Sequence, residues 1–214
     1  MQKKIILNTK DEDLKAFLGS HNHKTFRLGQ IKEWLYTKRC YGTAHMTNLS
    51  KDLREQLDQE FDFSLPQIVD RLDDEEGTSK LLLSGNNINQ KYEMVIMRYP
   101  DRTSICVSSQ VGCKLACRFC QTGKLGFFRH LTLQEIVGQF YLAEDILRQE
   151  REGRRVTHIV FMGMGEPFNN YDNVLSATNI FINEFGLSKR RVTVSTVGLA
   201  PQIEQFAQDS TASI

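Results

Sequence analysis

The sequence predicts an α/β protein in three consecutive parts, and three observations lead to that class. Apolar residues recur at helical spacing between residues 13 and 61. Strand-like composition, interrupted by turns rich in Gly and Asn, follows over residues 65–97. From residue 103 onward, strand-like and helix-like segments alternate. We therefore predict a helical accessory region at 1–64, a short β meander at 65–98 and an alternating core at 99–214.

The helical region contains three amphipathic segments. They are predicted at residues 13–18, 26–36 and 49–61. Trp34 lies on the apolar stripe of the second segment, so it is interpreted as a core anchor rather than a base-stacking platform. Cys40 is interpreted as a packed or idle thiol.

The meander has three predicted strands with two turns between them. The strands are placed at 67–72, 79–83 and 92–99, and the turns at 73–77 and 84–87. Composition alone describes Glu93, in the third strand, as a solvent-facing strand residue.

The alternating core begins with a β-branched strand at 103–108, after which a cysteine-rich loop follows. A capping box, T-L-Q-E at 132–135, starts the first long helix. The later predicted elements are strand 158–161, helix 173–185, strand 191–196 and a helix opening at residue 201. Such repeats predict a parallel sheet with right-handed crossovers, whose ligands bind at the carboxyl ends of the strands.

Bulk properties narrow the class of protein. Of the 214 residues, 40% are apolar, which is enough for a core, and no stretch has the length and apolarity of a membrane helix. The N-terminus lacks the apolar segment of a signal peptide, and five cysteines, four of them clustered, suit a reducing compartment. We therefore expect a soluble cytoplasmic protein with no membrane partner.

Charge is distributed unevenly, although the net charge is only +1. Residues 1–50 carry nine Lys and Arg against four Asp and Glu, a net of +5, whereas residues 51–100 carry six against eleven, a net of −5. A basic N-terminal region suits a phosphate backbone. An ordinary solvated helix surface explains the same charge equally well.

Four of the five cysteines lie in one run of fifteen residues, C-V-S-S-Q-V-G-C-K-L-A-C-R-F-C, from Cys106 to Cys120. The last three form a C-x3-C-x2-C triplet, whose soft thiolates favour zinc, Cu(I) or an iron–sulfur cluster. Three thiolates on a four-iron cluster leave one iron open for chemistry. A Cys3His zinc site and packed thiols are the alternatives.

The triplet, with Phe119 just before its last cysteine, resembles the radical S-adenosylmethionine (SAM) superfamily. The wider run S-S-Q-V-G-C-x-x-x-C-x-F-C-x-T-G, followed by F-M-G-M-G-E-P at 161–167, resembles one family more closely. That family is the RlmN-type dual-specificity adenosine C2 methyltransferases of 23S rRNA and tRNA, with the Cfr-type C8 methyltransferases as near relatives. The resemblance implies the first half of a partial radical-SAM (β/α)6 barrel, preceded by an RNA-binding helical extension.

The resemblance also implies a [4Fe-4S] cluster, SAM and eight site residues. Cys113, Cys117 and Cys120 would hold the cluster; Gly165, Glu166 and Ser195 would contact SAM; Glu93 would accept a proton and Cys106 would be the resolving cysteine.

The implied reaction begins when one SAM methylates an enzyme cysteine that this chain lacks. A second SAM, cleaved by an electron from the cluster, yields a radical that activates this methyl group for addition to C2 of adenine. A disulfide through Cys106 then releases the enzyme, Glu93 removes the C2 proton, and a reductant such as flavodoxin supplies electrons.

The chain stops at Ile214 after about three of the six strand–helix units, so we expect a fragment whose last strand has an unpaired apolar edge. Two other interpretations stay open: a non-catalytic RNA-binding module, and a radical SAM enzyme that methylates adenine C8.

Overall fold

The computed structural model describes residues 3–85, 87–150 and 153–214. Its backbone contacts divide the chain into two compact units, residues 1–64 and 65–214. The predicted turn at 84–87 includes Asn86, which lies outside the described residues. Among the described residues, no helix is long and apolar enough to cross a membrane.

The first unit consists of three helices and a two-stranded parallel sheet. Its elements are β1 (Lys4–Ile5), α1 (Asp11–Ser20), α2 (Arg27–Lys32) with a π-helical continuation (Glu33–Thr37), α3 (Lys51–Glu60) and β2 (Phe61–Asp62). Helix α3 begins where Ser50 Oγ accepts the amide of Leu53 at 3.3 Å. Leu18, Ile31 and Leu53 are fully buried, so the apolar stripes of the three helices meet in one core.

The interpretation of Trp34 as a core anchor is wrong. Its side chain is only half-buried, its Nε1 donates to Asn48 Oδ1 at 2.6 Å, and Lys38 Nζ lies 3.7 Å from the ring centroid. Ile31 and Leu35 occupy the core instead. The indole N–H needs a polar partner, and an edge position supplies one while the flat ring still covers apolar surface. Cys40 is half-buried, with its thiol 3.5 Å from the carbonyl of Lys38.

The second unit is organised by a six-stranded mixed sheet. Its strands are β3 (Gln67–Asp73), β4 (Thr78–Ser84), β5 (Lys91–Arg98), β6 (Thr103–Cys106), β9 (His158–Phe161) and β10 (Val192–Val194), in the spatial order β10-β9-β6-β5-β4-β3. A separate hairpin pairs β7 (Gln110–Gly112) with β8 (Phe127–His130). The helices are α4 (Gln121–Lys124), α5 (Leu133–Gln149), α6 (Tyr171–Asn179) with a π-helical continuation (Ile180–Glu184), and α7 (Ala200–Asp209).

The meander and the core share this sheet. Strands β3 to β6 are antiparallel neighbours, and β6, β9 and β10 run parallel. Strand β5 pairs with β6 through Val95 opposite Cys106 and Arg98 opposite Thr103. The sequence placed a boundary between residues 98 and 99; in the structure that position lies within one continuous sheet and one compact unit.

The two faces of the sheet differ sharply in burial. One face is packed under the helices: Phe161 on β9 and Phe140 on α5 both contact Phe181, with ring centroids 6.3 and 5.7 Å from it. Glu93, Val95 and Cys106 are alternate residues of their strands, so they lie on the opposite face, and each is only half-buried. That second face is therefore the accessible one.

Helix α5 starts as the sequence predicted. Thr132 Oγ1 accepts the amide of Glu135 at 3.2 Å, and the Glu135 carboxylate accepts the amide of Thr132 at 2.9 Å. The observed strand β9 has the predicted bounds, 158–161. Strand β6 ends at Cys106, two residues before its predicted end, because the amide of Ser108 bonds to the Gln139 side chain instead of a neighbouring strand.

The edge of β10 is not unpaired as expected. The amide of Val194 donates to the carbonyl of Ser213 at 2.8 Å, and the amide of Ser213 donates to the carbonyl of Val192 at 3.0 Å. Residue 213 thus forms a parallel bridge with Thr193. The backbone groups at the end of the described chain satisfy part of this edge.

Candidate active site

The carboxyl ends of the parallel strands bring three loops together. Residues 107–109 follow β6, the G-M-G-E-P loop at 163–167 follows β9, and residues 195–198 follow β10. Because β6, β9 and β10 are parallel neighbours, all three loops emerge at one edge of the sheet. The predicted SAM residues, Gly165, Glu166 and Ser195, all lie on these loops.

The S-S-Q segment holds the G-M-G-E-P loop through a continuous set of hydrogen bonds. Met164 is fixed on both sides: its amide donates to Ser108 Oγ at 2.8 Å, and its carbonyl accepts the amides of Ser109 and Gln110 at 2.9 and 3.1 Å. The amide of Glu166 donates to Gln110 Oε1 at 2.8 Å. Each of these polar groups is buried and paired, so the loop has one well-defined conformation.

Two glycines allow this close approach. A Cβ at position 163 would lie 2.6 Å from Ser108 Oγ, and one at position 165 would lie 2.5 Å from Gln110 Cβ. Gly165 also has φ +100°, a conformation that residues with a Cβ rarely adopt. The sequence interpretation assigned these glycines to ligand access; the structure adds a packing requirement within the protein.

Glu166 is buried and already bonded within the protein. Its Oε1 accepts Thr196 Oγ1 at 2.7 Å and the amide of Phe168 at 3.2 Å, while Oε2 accepts the amide of Val197 at 3.0 Å. Its carboxylate therefore joins the G-M-G-E-P loop to the loop after β10. A carboxylate has about four acceptor positions, so these three bonds leave capacity for one further donor.

Ser195 is the first residue after β10, and its side chain is exposed. Its neighbour Thr196 is the residue that Glu166 binds. The structure therefore places Ser195 beside the loop of Gly165 and Glu166.

The cysteine triplet lies on a loop that the β7–β8 hairpin closes. Gln110 pairs with His130 across the hairpin, and the amide of Cys113 donates to the carbonyl of Gly126 at 2.9 Å. The loop turns back on itself near Ala116, which has φ +48°; a Cβ at Gly123 would lie 3.2 Å from the Ala116 Cα. The T-G of the motif therefore shapes this loop.

The three thiols share the loop without forming a preassembled site. All five cysteines are free and half-buried. Among the described residues, no three or more His, Cys, Asp or Glu side chains are grouped closely enough to hold a metal ion, as a cluster site or as a Cys3His site.

The chemistry of this loop nevertheless suits a cluster. Residues 113–126 contain three cationic residues, Lys114, Arg118 and Lys124, and no acidic residue. These cationic residues would offset the negative charge of three cluster-bound thiolates, and thiolates are the ligands that soft metals prefer. The donors thus fit a [4Fe-4S] cluster, whose assembly would have to draw the three sulfur atoms together.

His130, at the end of the hairpin, is oriented by the same network. Gln110 Nε2 donates to its Nδ1 at 3.0 Å, while the other end of the Gln110 amide accepts from Glu166. Burial and the nearby charge of Lys114 lower the pKa of His130, so the imidazole favours its neutral form.

Glu93 and Cys106 lie on the accessible face of the sheet. Cys106 is directly opposite Val95 in the β5–β6 pairing, and Glu93 is two residues before Val95 on the same face. The Glu93 carboxylate forms an ion pair with Lys80 at 2.7 Å. Burial raises the pKa of the Cys106 thiol, partly offset by a backbone hydrogen bond at Met162, so the protonated thiol is favoured near neutral pH.

Sequence reasoning missed the residues that arrange this site. They are Lys80, Ser108, Gln110, Gln139 and Thr196. The S-S-Q run was visible as part of the motif, but its partners lie up to 61 positions away along the chain. No local pattern reveals such contacts.

Two family models and a solved structure match this chain. Residues 5–62 match the family model of the ribosomal RNA large subunit methyltransferase N-terminal domain, and residues 107–209 match that of the radical SAM superfamily. A crystal structure of a radical SAM methyltransferase from Sphaerobacter thermophilus superposes with a TM-score of 0.85 at 36% identity, covering 96% of this chain and 60% of that one. The likeness confirms the predicted fold class.

Curated relatives bear one shared description, "Dual-specificity RNA methyltransferase RlmN". The relative from Saccharophagus degradans is 41% identical over 94% of this chain and 51% of its own length. The relative from Rhizorhabdus wittichii is 45% identical over 86% and 46%, and that from Buchnera aphidicola is 37% identical over 98% and 58%. This chain spans about half the length of these relatives. It belongs to the RlmN family of radical SAM methyltransferases.

Proposed function

We propose that the full-length protein methylates C2 of a specific adenosine in 23S rRNA and in tRNA, using a [4Fe-4S] cluster and SAM, in the cytoplasm. One observation carries the proposal. The S-S-Q segment that leads into the cysteine loop, the G-M-G-E-P loop and Ser195 lie along one edge of the sheet, next to the face that carries Glu93 and Cys106. The family match supports the same reaction class.

The proposed cofactor residues are those of the two loops. Cys113, Cys117 and Cys120 would hold the cluster, and SAM would lie against Gly165, Glu166 and Ser195. When bound, the cluster and SAM supply the radical chemistry that activates a methyl group. The remaining acceptor position of Glu166 suits an ammonium group.

Glu93 is the proposed proton acceptor. Its carboxylate is half-exposed on the open face, where an adenine can reach it, and Lys80 holds it from one side. The Lys80 ammonium lies 2.7 Å from the carboxylate and orients it, and 41% of the Glu93 side chain stays exposed.

Cys106 is the proposed resolving cysteine, because it is free and lies outside the metal-binding loop. Its raised pKa keeps the thiol protonated and unreactive until a partner sulfur arrives. The five cysteines of this chain form no disulfide among themselves.

The partners proposed are RNA and a reductant such as flavodoxin. The first unit offers cationic side chains stacked on aromatic rings, with the Arg27 guanidinium 4.9 Å from the Phe26 centroid. The net charge of +5 on residues 1–50 and the match of residues 5–62 to the N-terminal domain family model support RNA binding by this unit.

The test is anaerobic reconstitution of the full-length protein with iron and sulfide, followed by incubation with SAM, a reductant and either RNA. We expect four irons per chain and a methyl group at C2 of one adenine, identified by mass spectrometry of the digested RNA. A methyl group at C8 would assign the protein to the other chemistry. Zinc in place of iron, or RNA binding without any methylated product, would overturn the proposal.

A further inference from the structure

Ser108 forms hydrogen bonds both to the strand that carries the proposed base, Glu93, and to the proposed SAM-binding loop. It is fully buried, and its Oγ donates to the backbone carbonyl of Glu93 at 2.5 Å. The same oxygen accepts the amide of Met164 at 2.8 Å. One side chain thus joins strand β5 to the G-M-G-E-P loop.

The direction of the two hydrogen bonds follows from which groups can donate and which can accept. A serine hydroxyl has a single hydrogen, and a carbonyl can only accept, so that hydrogen must point to Glu93. The amide of Met164 can only donate, so it must use a lone pair of the same oxygen. Each bond polarises the hydroxyl in the sense that strengthens the other.

Ser108 itself has little freedom to move. Gln139 Oε1 accepts its amide at 2.9 Å, and Gln139 Nε2 donates to its carbonyl at 3.0 Å, in a fully buried environment. On the other side, Gly163 packs so closely that a Cβ there would lie 2.6 Å from Ser108 Oγ. A displacement of the loop therefore cannot be absorbed locally, because close-packed interiors transmit strain.

The position of Ser108 in the sheet explains why Glu93 is the residue affected. Val95 lies opposite Cys106, so continued pairing would place Glu93 opposite Ser108. The ladder has already ended at Cys106, and the Glu93 carbonyl takes the Ser108 hydroxyl in place of a backbone amide. Its backbone is therefore anchored to a residue that also contacts the loop.

We propose that Ser108 is a positioning residue that couples occupancy of the G-M-G-E-P loop to the placement of Glu93. The inference rests on the proposed function, since it takes the loop to bind SAM and Glu93 to accept the proton. It adds a link between the two: SAM bound against this preorganised loop restrains Met164 further, and Met164 restrains the carbonyl of Glu93 through one hydroxyl.

The test uses the reconstituted full-length protein, with Ser108→Ala as the variant and Ser84→Ala as the matched control. Ser84 is an equally buried serine, and its hydroxyl has no hydrogen-bond partner among the described residues. Amide hydrogen exchange is followed with and without SAM. In the native protein, we expect SAM to slow exchange both around Met164 and in the peptide covering residues 93–95.

In Ser108→Ala, SAM should still slow exchange around the loop but not at 93–95, and Ser84→Ala should behave as the native protein. Kinetics add a second readout: Ser108→Ala should raise the KM for SAM roughly fivefold, as for one lost buried hydrogen bond, and also lower kcat about tenfold. A residue that served the loop alone would raise KM and leave kcat unchanged.

Three results would overturn the coupling: native protection confined to the loop, protection at 93–95 that survives in Ser108→Ala, or an unchanged kcat in that variant. The first result is measured on the native protein, so it tests the coupling even if Ser108→Ala misfolds. Failure of the native protein to bind SAM would instead overturn the proposed function.

Discussion

The cysteine loop and the G-M-G-E-P loop are proposed to serve one reaction, yet they are built in opposite ways. Residues 113–126 carry three half-buried thiols that are not grouped for metal binding, and Phe119 among them is 93% exposed. The G-M-G-E-P loop is bonded on both sides, with Glu166 only 5% exposed. The protein therefore preorganises one loop and leaves the geometry of the other to the cluster it would bind.

The largest expected effect comes from removing one thiol. Cys117→Ala in the full-length protein should abolish four-iron binding and methylation, because two thiolates cannot hold the cluster in its open-site form. The free energy of unfolding of the metal-free protein should change by no more than about 0.5 kcal/mol, since the loop makes few packing contacts. Iron analysis and chemical denaturation check the two parts. A large decrease in the free energy of unfolding of the metal-free variant would contradict the inference that the cysteine loop is not preorganised.

The second prediction concerns the preorganised loop. Gly165→Ala adds a Cβ within 2.5 Å of Gln110 at φ +100°, and it should lower the free energy of unfolding by about 3 kcal/mol from strain and overpacking together. Gly186→Ala is the matched control, with φ +70° and no described atom within 4 Å of the added Cβ. It should lose only about 1 kcal/mol. Equal losses in the two variants would show that the contact with Gln110 is unimportant.

A smaller effect is expected at the hydrogen bond that joins the G-M-G-E-P loop to the loop after β10. Thr196→Val removes the 2.7 Å hydrogen bond to Glu166 and should lower the free energy of unfolding by about 1.5 kcal/mol, with weaker SAM binding measured by equilibrium dialysis. Thr193→Val, on strand β10, is the control and should be neutral within about 0.5 kcal/mol. Unchanged SAM affinity in Thr196→Val would separate this link from cofactor binding.

The smallest effect concerns the pH dependence of Cys106. Burial raises its pKa, so the folded state favours the neutral thiol. The stability this contributes is complete below the ordinary thiol pKa and is lost as pH rises through the raised value. Alkylation of Cys106 in the metal-free protein, followed by mass spectrometry, should therefore have its midpoint above that of N-acetylcysteine. A midpoint at or below that of the reference thiol would contradict the burial argument.

Local signals in the sequence located the elements, and long-range contacts decided what the elements do. The capping box at Thr132 and the strand at 158–161 were predictable because neighbouring residues determine them. The cysteine loop and the G-M-G-E-P turn were also predictable, as motifs. Trp34 was misplaced because a periodic stripe does not show which of its members lies at the rim.

The bonding of Glu166 could not be predicted for a different reason. Its partners Thr196 and Val197 come from the next strand–loop unit, so their contact depends on how two parallel strands align. The same holds for Lys80 beside Glu93, which are diagonal neighbours across β4 and β5. Sequence spacing specifies neither alignment.

The side-chain amide of Gln139 takes the place of a backbone peptide group in hydrogen bonding. Where β6 leaves the sheet, its side-chain amide offers one acceptor and one donor to the backbone of Ser108, as the next strand would have done, and its second hydrogen goes to the carbonyl of Glu135 at 3.3 Å. A carboxylate at this position would direct an oxygen at the Ser108 carbonyl, and a hydrocarbon would leave both backbone groups without a partner. At this one position, helix α5 supplies the two hydrogen bonds that a neighbouring strand would otherwise supply. A side chain of this length must end in an amide to form both bonds.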